Sequence, residues 1–254
     1  MSTKIEWCRN EDGSPGETIN PLGWGCYGPE GTPESPKICS YCYAKRMAHR
    51  GVRGCDLCRQ FIPHWHTEQL EKIRHWRKPR RIFIQSMGDL FGDWVPDGQI
   101  EQVKVEAIHN PHHTFQFLTK NPKRLKDFNP WPANCWVGTT VTNQADMNKR
   151  LEWLMQVDAS VRFISHEPLL GKIDVATPYN RAAQILSNRF IHYGRPNWVI
   201  IGSMTGPGAV RAEDEWVDGL ISQYQAALVP IFLKDNLYPP GTPATAKFQE
   251  FPCA

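Results

Sequence analysis

Residues 81–93 read RIFIQSMGDLFGD. A short apolar run of strand composition ends abruptly in small polar and acidic side chains, here Ser86 and Asp89. The same grammar returns along the chain. HTFQFLTKNP (113–122) ends at Thr119 and Lys120, and CWVGTTVTNQ (135–144) ends at Thr140, Thr142 and Asn143. VRFISHEPLLG (161–171) ends at Ser165, His166 and Glu167. NWVIIGSMTGPG (197–208) ends at Gly202 and Ser203, and LVPIFLKDN (228–236) at Lys234 and Asp235. Between most of these runs lie stretches of helical composition: DGQIEQVKVEAIHN (97–110), NKRLEWLMQVD (148–158) and EDEWVDGLISQYQAAL (213–228). Strands alternating with helices predict parallel βα units. Continuously apolar strands fit a sheet covered on both faces. With a short strand before Cys26 the count is six or seven. The fold expected is therefore α/β, a partial (β/α)6-type barrel open on one side, forming one domain over 1–254 with a Cys/His-containing insert around 51–68. Polar residues gathered at the C-terminal ends of the strands place a site on that rim.

The chain upstream of these units holds the metal chemistry. Residues 22–48, LGWGCYGPEGTPESPKICSYCYAKRMA, carry Cys26, Cys39 and Cys42, the last two spaced C-x-x-C. Thiolates are soft ligands, and three from one loop suit iron–sulfur or zinc. No fourth cysteine lies at close spacing. Structural zinc is normally closed by four protein ligands, whereas an iron–sulfur cube held by three leaves one iron open. The insertion GPEGTPESPK (28–37) is too rich in Pro and Gly for a helix and reads as a surface loop. AKRMAHR (44–50) has helical composition, and a helix starting beside Cys42 would favour an anionic group there. A second C-x-x-C, Cys55 and Cys58, precedes His64 and His66. Two cysteines and two histidines can close a zinc site, although C-x2-C-x5-H-x-H is not a standard finger spacing. The plainer reading is an inert thiol pair beside a surface helix.

Bulk properties exclude several classes. The 254 residues are 41% hydrophobic, with a formal net charge of +3, so overall charge does not demand nucleic acid. No apolar run of about 18 residues exists to span a membrane. The start, MSTKIEWCRNEDGSPGE, lacks the apolar core of a secretory signal, and a cytoplasmic location is expected. There, eight cysteines read as ligands or free thiols. Lys72, Arg74, Arg77, Lys78, Arg80 and Arg81, with His75 and Trp76 interleaved, are either a phosphate track or the solvated face of a helix end. The ten tryptophans read mostly as core or rim packing, with a few available to stack on a planar substrate.

CSYCYA (39–44), with an aromatic on either side of the last cysteine, resembles the cluster loop of the radical S-adenosylmethionine (radical SAM) superfamily, whose commonest form is C-x3-C-x-aromatic-C. This chain departs from it in placing twelve residues between Cys26 and Cys39. The succession SMGDLF, FLTKNPKRL, WVGTTV, FISHEPLLG, WVIIGSMTGPG and PIFLKDN is similar to a phage-associated family with three such cysteines, itself assigned to that superfamily, over residues 20–240. It departs in the first cysteine gap, in the insert at Cys55, and in SMTG where that family more often has Gly-Gly-Glu-Ser. A more distant likeness is to the spore photoproduct lyases, radical SAM enzymes that repair a thymine lesion in DNA.

The resemblance implies a cluster loop after the first strand, with Cys26, Cys39 and Cys42 holding a [4Fe-4S] cluster whose open iron takes S-adenosylmethionine. It implies Ser86 and Asp89 at the methionine amino group, Thr119 and Lys120 at its carboxylate, and Thr140 and Thr142 at ribose or carboxylate. Ser165, His166 and Glu167 fall at ribose or substrate, Gly202 where backbone approaches adenine, and Lys234 and Asp235 toward substrate. Ser and Thr at strand ends also cap helices. Lys120 also reads as a loop charge, and Asp89 as a turn acceptor. Cys135 begins its strand, at the opposite rim, and reads as structural. Cys8 and Cys253 carry no assignment. The implied partners are an external electron donor such as flavodoxin or ferredoxin, no membrane, and a substrate left open, with DNA, RNA or a nucleobase suggested. Two other readings stand beside this one. One is a zinc-containing nucleic-acid-binding module using Cys39, Cys42, Cys55 and Cys58. The other is a non-catalytic iron–sulfur scaffold acting with a partner.

Overall fold

All six apolar runs form strands, and a seventh precedes the cysteine loop. They are β1 Glu17–Ile19, β2 Arg81–Ile84, β3 Thr114–Thr119, β4 Cys135–Thr140, β5 Val161–His166, β6 Trp198–Ile201 and β7 Ile231–Leu233. The computed structural model describes residues 2–51, 54–176, 195–239, 241–242 and 248–252. Each strand pairs in parallel with the next in sequence, so spatial order is chain order. Right-handed crossovers that always step the same way put the helices on one face and curl the sheet around the other. The result is a half-barrel, since β1 and β7 do not pair.

Helices α1 Tyr43–His49, α2 Asp56–Arg59 and α3 Thr67–His75 lie between β1 and β2. Then follow α4 Asp97–His109, α5 Pro122–Lys126, α6 Gln144–Met155 and α7 Asp214–Ala226, each between successive strands. The three predicted helices are α4, α6 and α7. The sixth starts four residues before the predicted stretch because Asn143 caps it, its side chain accepting from the Asp146 amide at 3.0 Å. Among the described residues no helix is long and apolar enough to cross a membrane.

Period-two alternation divides the strand residues between two cores. Ile82, Ile84, Phe115, Phe117, Val137, Ile164, Val199 and Ile231 face outward, against the helices. Phe83, Trp136, Phe163, Trp198, Ile200 and Phe232 face inward and make an aromatic floor. Trp7 and Cys8 complete this floor from one end of the chain, and Phe251 packs on it from the other. Trp198 is its hub, with ring centroids 6.3 Å from Trp7, 5.9 Å from Trp136 and 5.4 Å from Phe251.

The open side of the half-barrel is spanned by the first residues. Ser2 bridges Glu17 at the β1 edge, and Thr3 donates to the Gly16 carbonyl at 2.9 Å. A few residues on, Glu6 accepts from the Asp235 amide at 2.6 Å and lies 3.8 Å from the Lys234 ammonium beyond β7.

Candidate functional site

Above the aromatic floor the inward positions turn polar, and the half-barrel opens into a cavity of about 1210 Å³. Leu118, Lys120, Thr140, Ser165, Glu167 and Lys234 line it from the strand ends, and the cysteine loop covers it. Cys26, Cys39 and Cys42 all line this one cavity. The Gly28 amide donates to Cys26 Sγ at 3.2 Å, and the Lys45 amide to Cys42 Sγ at 3.4 Å. Cys42 is thus itself the N-cap of the seven-residue α1. Burial, followed by the neighbouring Asp89 carboxylate, pushes the Cys26 thiol up to about 12. The Lys120 ammonium sits 5.7 Å from the Tyr41 ring centroid. Burial works against its charge, but Tyr41, Cys39, Asp89 and Cys26 more than offset this and raise its pKa. A cation therefore stands near two of the three thiols and lines the cavity.

The loop is held by residues just after β2. Gln85 is buried with φ +63, a conformation few side chains adopt. Its amide oxygen accepts from the Leu22 amide at 2.9 Å, and its amide nitrogen donates to the Gly23 carbonyl at 2.8 Å. Asn20 accepts from the Met87 amide at 2.9 Å and the Ser86 hydroxyl at 3.2 Å. The Tyr43 hydroxyl donates to the Ser86 carbonyl. Sequence reasoning named Ser86 but missed Gln85 and Asn20, because nothing in a single sequence marks a glutamine for the left-handed region.

The strand-end residues separate into three groups. Thr140 and Ser165, on neighbouring strands in register, line the cavity. Asp89 lines it too, yet both its oxygens are engaged. One accepts from the Thr119 hydroxyl at 2.7 Å and the Phe91 amide at 3.0 Å, the other from the Lys120 amide at 2.9 Å. Asp89 and Thr119 therefore brace β2 against β3.

Thr142 and His166 face elsewhere. Thr142 lies two residues past the strand end and gives its hydroxyl to Asp146 at 2.7 Å, in the first turn of α6. It does not line the cavity, because β4 has ended and the chain has turned into the helix. His166 faces the helices: Nδ1 donates to the Val141 carbonyl at 2.9 Å, and Nε2 accepts from the Tyr224 hydroxyl at 2.8 Å. Burial lowers its pKa to about 4 and keeps it neutral. Glu167 pairs with Lys234 across β6, and Gly202 lies between them. A Cβ on Gly202 would stand 2.8 Å from Lys234 Cδ, so the glycine makes room for this ion pair. Asp235 does not line the cavity and meets Glu6 through its amide. Ser203 accepts from the Ala212 amide at 2.9 Å.

Cys135 is fully buried among the outward-facing core residues at the start of β4, as read from sequence. Cys253 lies outside the described residues. The basic run is largely consumed by the fold. Arg74 pairs with Glu106, Arg80 with Glu17 at 2.8 Å, and Arg81 lies against the rings of Trp136 and Phe251. Two of its six cations are thus paired with carboxylates, and a third is packed against rings.

The insert brings Cys55, Cys58, His64 and His66 together, their ligand atoms all within 4.8 Å of one another. Among the described residues this is the set gathered so closely, and it excludes Cys39 and Cys42. The zinc module built on Cys39, Cys42, Cys55 and Cys58 is thereby overturned: its two halves belong to different sites.

Among solved structures, spore photoproduct lyase complexed with dinucleoside spore photoproduct has the same fold, with a TM-score of 0.51 and 10% identity. The alignment covers 84% of this chain and 74% of that one. A double mutant of the lyase with bound AdoMet and dinucleoside spore photoproduct aligns at a TM-score of 0.47 and 13% identity, over 82% of this chain and 60% of that one. No curated protein matches the sequence. The family described as "Protein of unknown function (DUF5131)" matches residues 2–238, from the segment spanning the open side to the turn after β7. The half-barrel, its cysteine loop and its polar rim all lie within that match, and the chain belongs to the DUF5131 family.

Proposed function

We propose that the chain is a radical SAM enzyme, with a [4Fe-4S] cluster held by Cys26, Cys39 and Cys42. The observation that carries this is the meeting of three thiols from one loop in one cavity, at the C-terminal rim of an open parallel barrel. The donor set fits the group. The thiols are free of disulfides and soft. They are not drawn together as ligands of a single ion are, which suits a wider cluster. Lys120 offers positive charge beside them. Once held there, the cluster and S-adenosylmethionine would supply reductive, radical-generating chemistry.

The chain's own residues then bind and orient. Lys120 would meet the methionine carboxylate, and Ser86 the amino group. Thr140 and Ser165 offer hydroxyls to carboxylate or ribose. Asp89 and Thr119 hold the wall that carries Lys120. Glu167 and Lys234 lie toward substrate. For substrate we propose a nucleobase or nucleic acid. The dinucleoside held by the structural neighbour and the aromatic cavity residues Trp24, Tyr41 and Tyr43 support that class. The electron comes from an external donor of the flavodoxin or ferredoxin kind.

The test is anaerobic reconstitution with iron and sulfide, then dithionite and S-adenosylmethionine. The expected result is 5′-deoxyadenosine from the wild type and none from Cys42→Ala. A cluster that assembles without yielding that product would establish the scaffold reading, and failure to assemble one would overturn the ligand assignment.

A further inference from the structure

We infer that Cys55, Cys58, His64 and His66 bind one Zn²⁺ in a closed structural site, and that this site clamps the loop leading into Cys26. The four sulfur–nitrogen separations are 3.0 and 3.9 Å from Cys55, and 3.8 and 3.6 Å from Cys58. Tetrahedral zinc with ordinary bond lengths holds sulfur and nitrogen ligands about 3.6 Å apart. Both imidazoles present Nε2 to the sulfurs, and both Nδ1 atoms are occupied behind. His64 Nδ1 lies 2.8 Å from the Ile62 carbonyl, and His66 Nδ1 2.6 Å from a Glu68 carboxylate oxygen. A carbonyl only accepts, so the His64 proton is on Nδ1 and the Nε2 lone pair points at the thiols. Outer partners of this kind fix the tautomer and orientation of metal-binding histidines. Cys58 Sγ also accepts from the Trp24 amide at 3.3 Å, a bond that suits a thiolate. Two thiolates and two neutral imidazoles balance the charge of a divalent ion and leave no open position, which marks a structural rather than a catalytic site.

The ligand segment is also the bed of the cysteine loop. The His66 amide donates to the Pro21 carbonyl at 2.6 Å, and the His64 amide to the Leu22 carbonyl at 3.3 Å. Gly23 has φ +63, and a Cβ there would stand 2.8 Å from His64 Cε1. Gly25 packs directly on the backbone of Ile62 and Pro63. Metal on this segment therefore fixes residues 21–25, immediately before Cys26.

The inference does not depend on radical chemistry, and its test separates the two. Elemental analysis of the full chain, purified without added metal, should give about one zinc per chain. A Cys26→Ala/Cys39→Ala/Cys42→Ala variant should keep that zinc, and a Cys55→Ala/His64→Ala variant should lose it. Zinc lost with the first variant, or retained by the second, would overturn the assignment. If the second variant does not fold, X-ray absorption at the zinc edge of the wild type decides. Two sulfur and two nitrogen ligands support the site, and any other ligand set rejects it. For the clamp, removing zinc from the wild type with a chelator should speed amide hydrogen exchange over residues 22–26 by about tenfold or more. Unchanged exchange after zinc removal would rule the clamp out.

Discussion

Ser165 and His166 are adjacent, yet only Ser165 reaches the cavity. Strand alternation sends His166 to the helix side, where it joins the end of β4 to α7 through Val141 and Tyr224. Its pH behaviour follows from its burial. The folded pKa of about 4 lies below the ordinary histidine value near 6.5, so between these values the unfolded chain binds more protons. The stability from neutral His166 is complete above about pH 6.5 and is lost as pH falls to 4, on the order of 3 kcal/mol. Urea midpoints at pH 7.5 and 4.5 should therefore differ more in the wild type than in His166→Gln; equal differences would contradict this. At Gly202 the added methyl of Gly202→Ala should cost about 1–3 kcal/mol by pushing Lys234 off Glu167. The cost should vanish in a Lys234→Ala background, as a double-mutant cycle measured by denaturation would show. The sequence grammar placed Thr142, His166 and Gly202 on the rim with Thr140 and Ser165. Period two already separates His166 from Ser165. Nothing in the sequence told where β4 stops short of Thr142, or that a lysine just past β7 occupies the space over Gly202.

At the scale of elements, the cysteine loop is held between two supports, Gln85 after β2 and the Cys/His segment before α3. Gln85→Ala leaves the Leu22 amide and Gly23 carbonyl without their partner. It should destabilise the protein by about 1–3 kcal/mol and lower iron loading after reconstitution. An unchanged denaturation midpoint would show that the loop is held elsewhere. Cys135→Ala, by contrast, should leave iron content unaltered, because that thiol is on the far face and at the far end of its strand. The contributing elements differed in legibility. The long strands announce themselves by composition, and C-x-x-C followed by two histidines announces its ligands. β1 is expected only as a short strand somewhere before Cys26: Glu17–Ile19 is three residues, and its pairing with β2 sets its bounds. The basic run looked like a surface because its partners, Glu17 and Glu106, lie far away in sequence.

For the whole molecule, chain order and spatial order coincide, which is why a repeated strand–helix grammar was enough to read the architecture. The floor was not readable this way. Its aromatic residues come from five strands and from both ends of the described chain, and no local pattern connects Trp7 with Phe251. Trp198→Ala should cost about 3–5 kcal/mol, the range for large aromatic truncations. Its effect should appear in both near-ultraviolet circular dichroism and denaturation, since its ring meets partners from both ends. The residues spanning the open side carry a consequence for folding kinetics. Each sheet pairing joins neighbours in sequence and can form as the chain lengthens. The seam between Glu6 and Lys234, and the Trp7–Trp198–Phe251 stack, must wait for the final strand. A nascent half-barrel therefore presents an unsealed, greasy trough until β7 and Phe251 have been made, and that is the interval in which a chaperone would be needed.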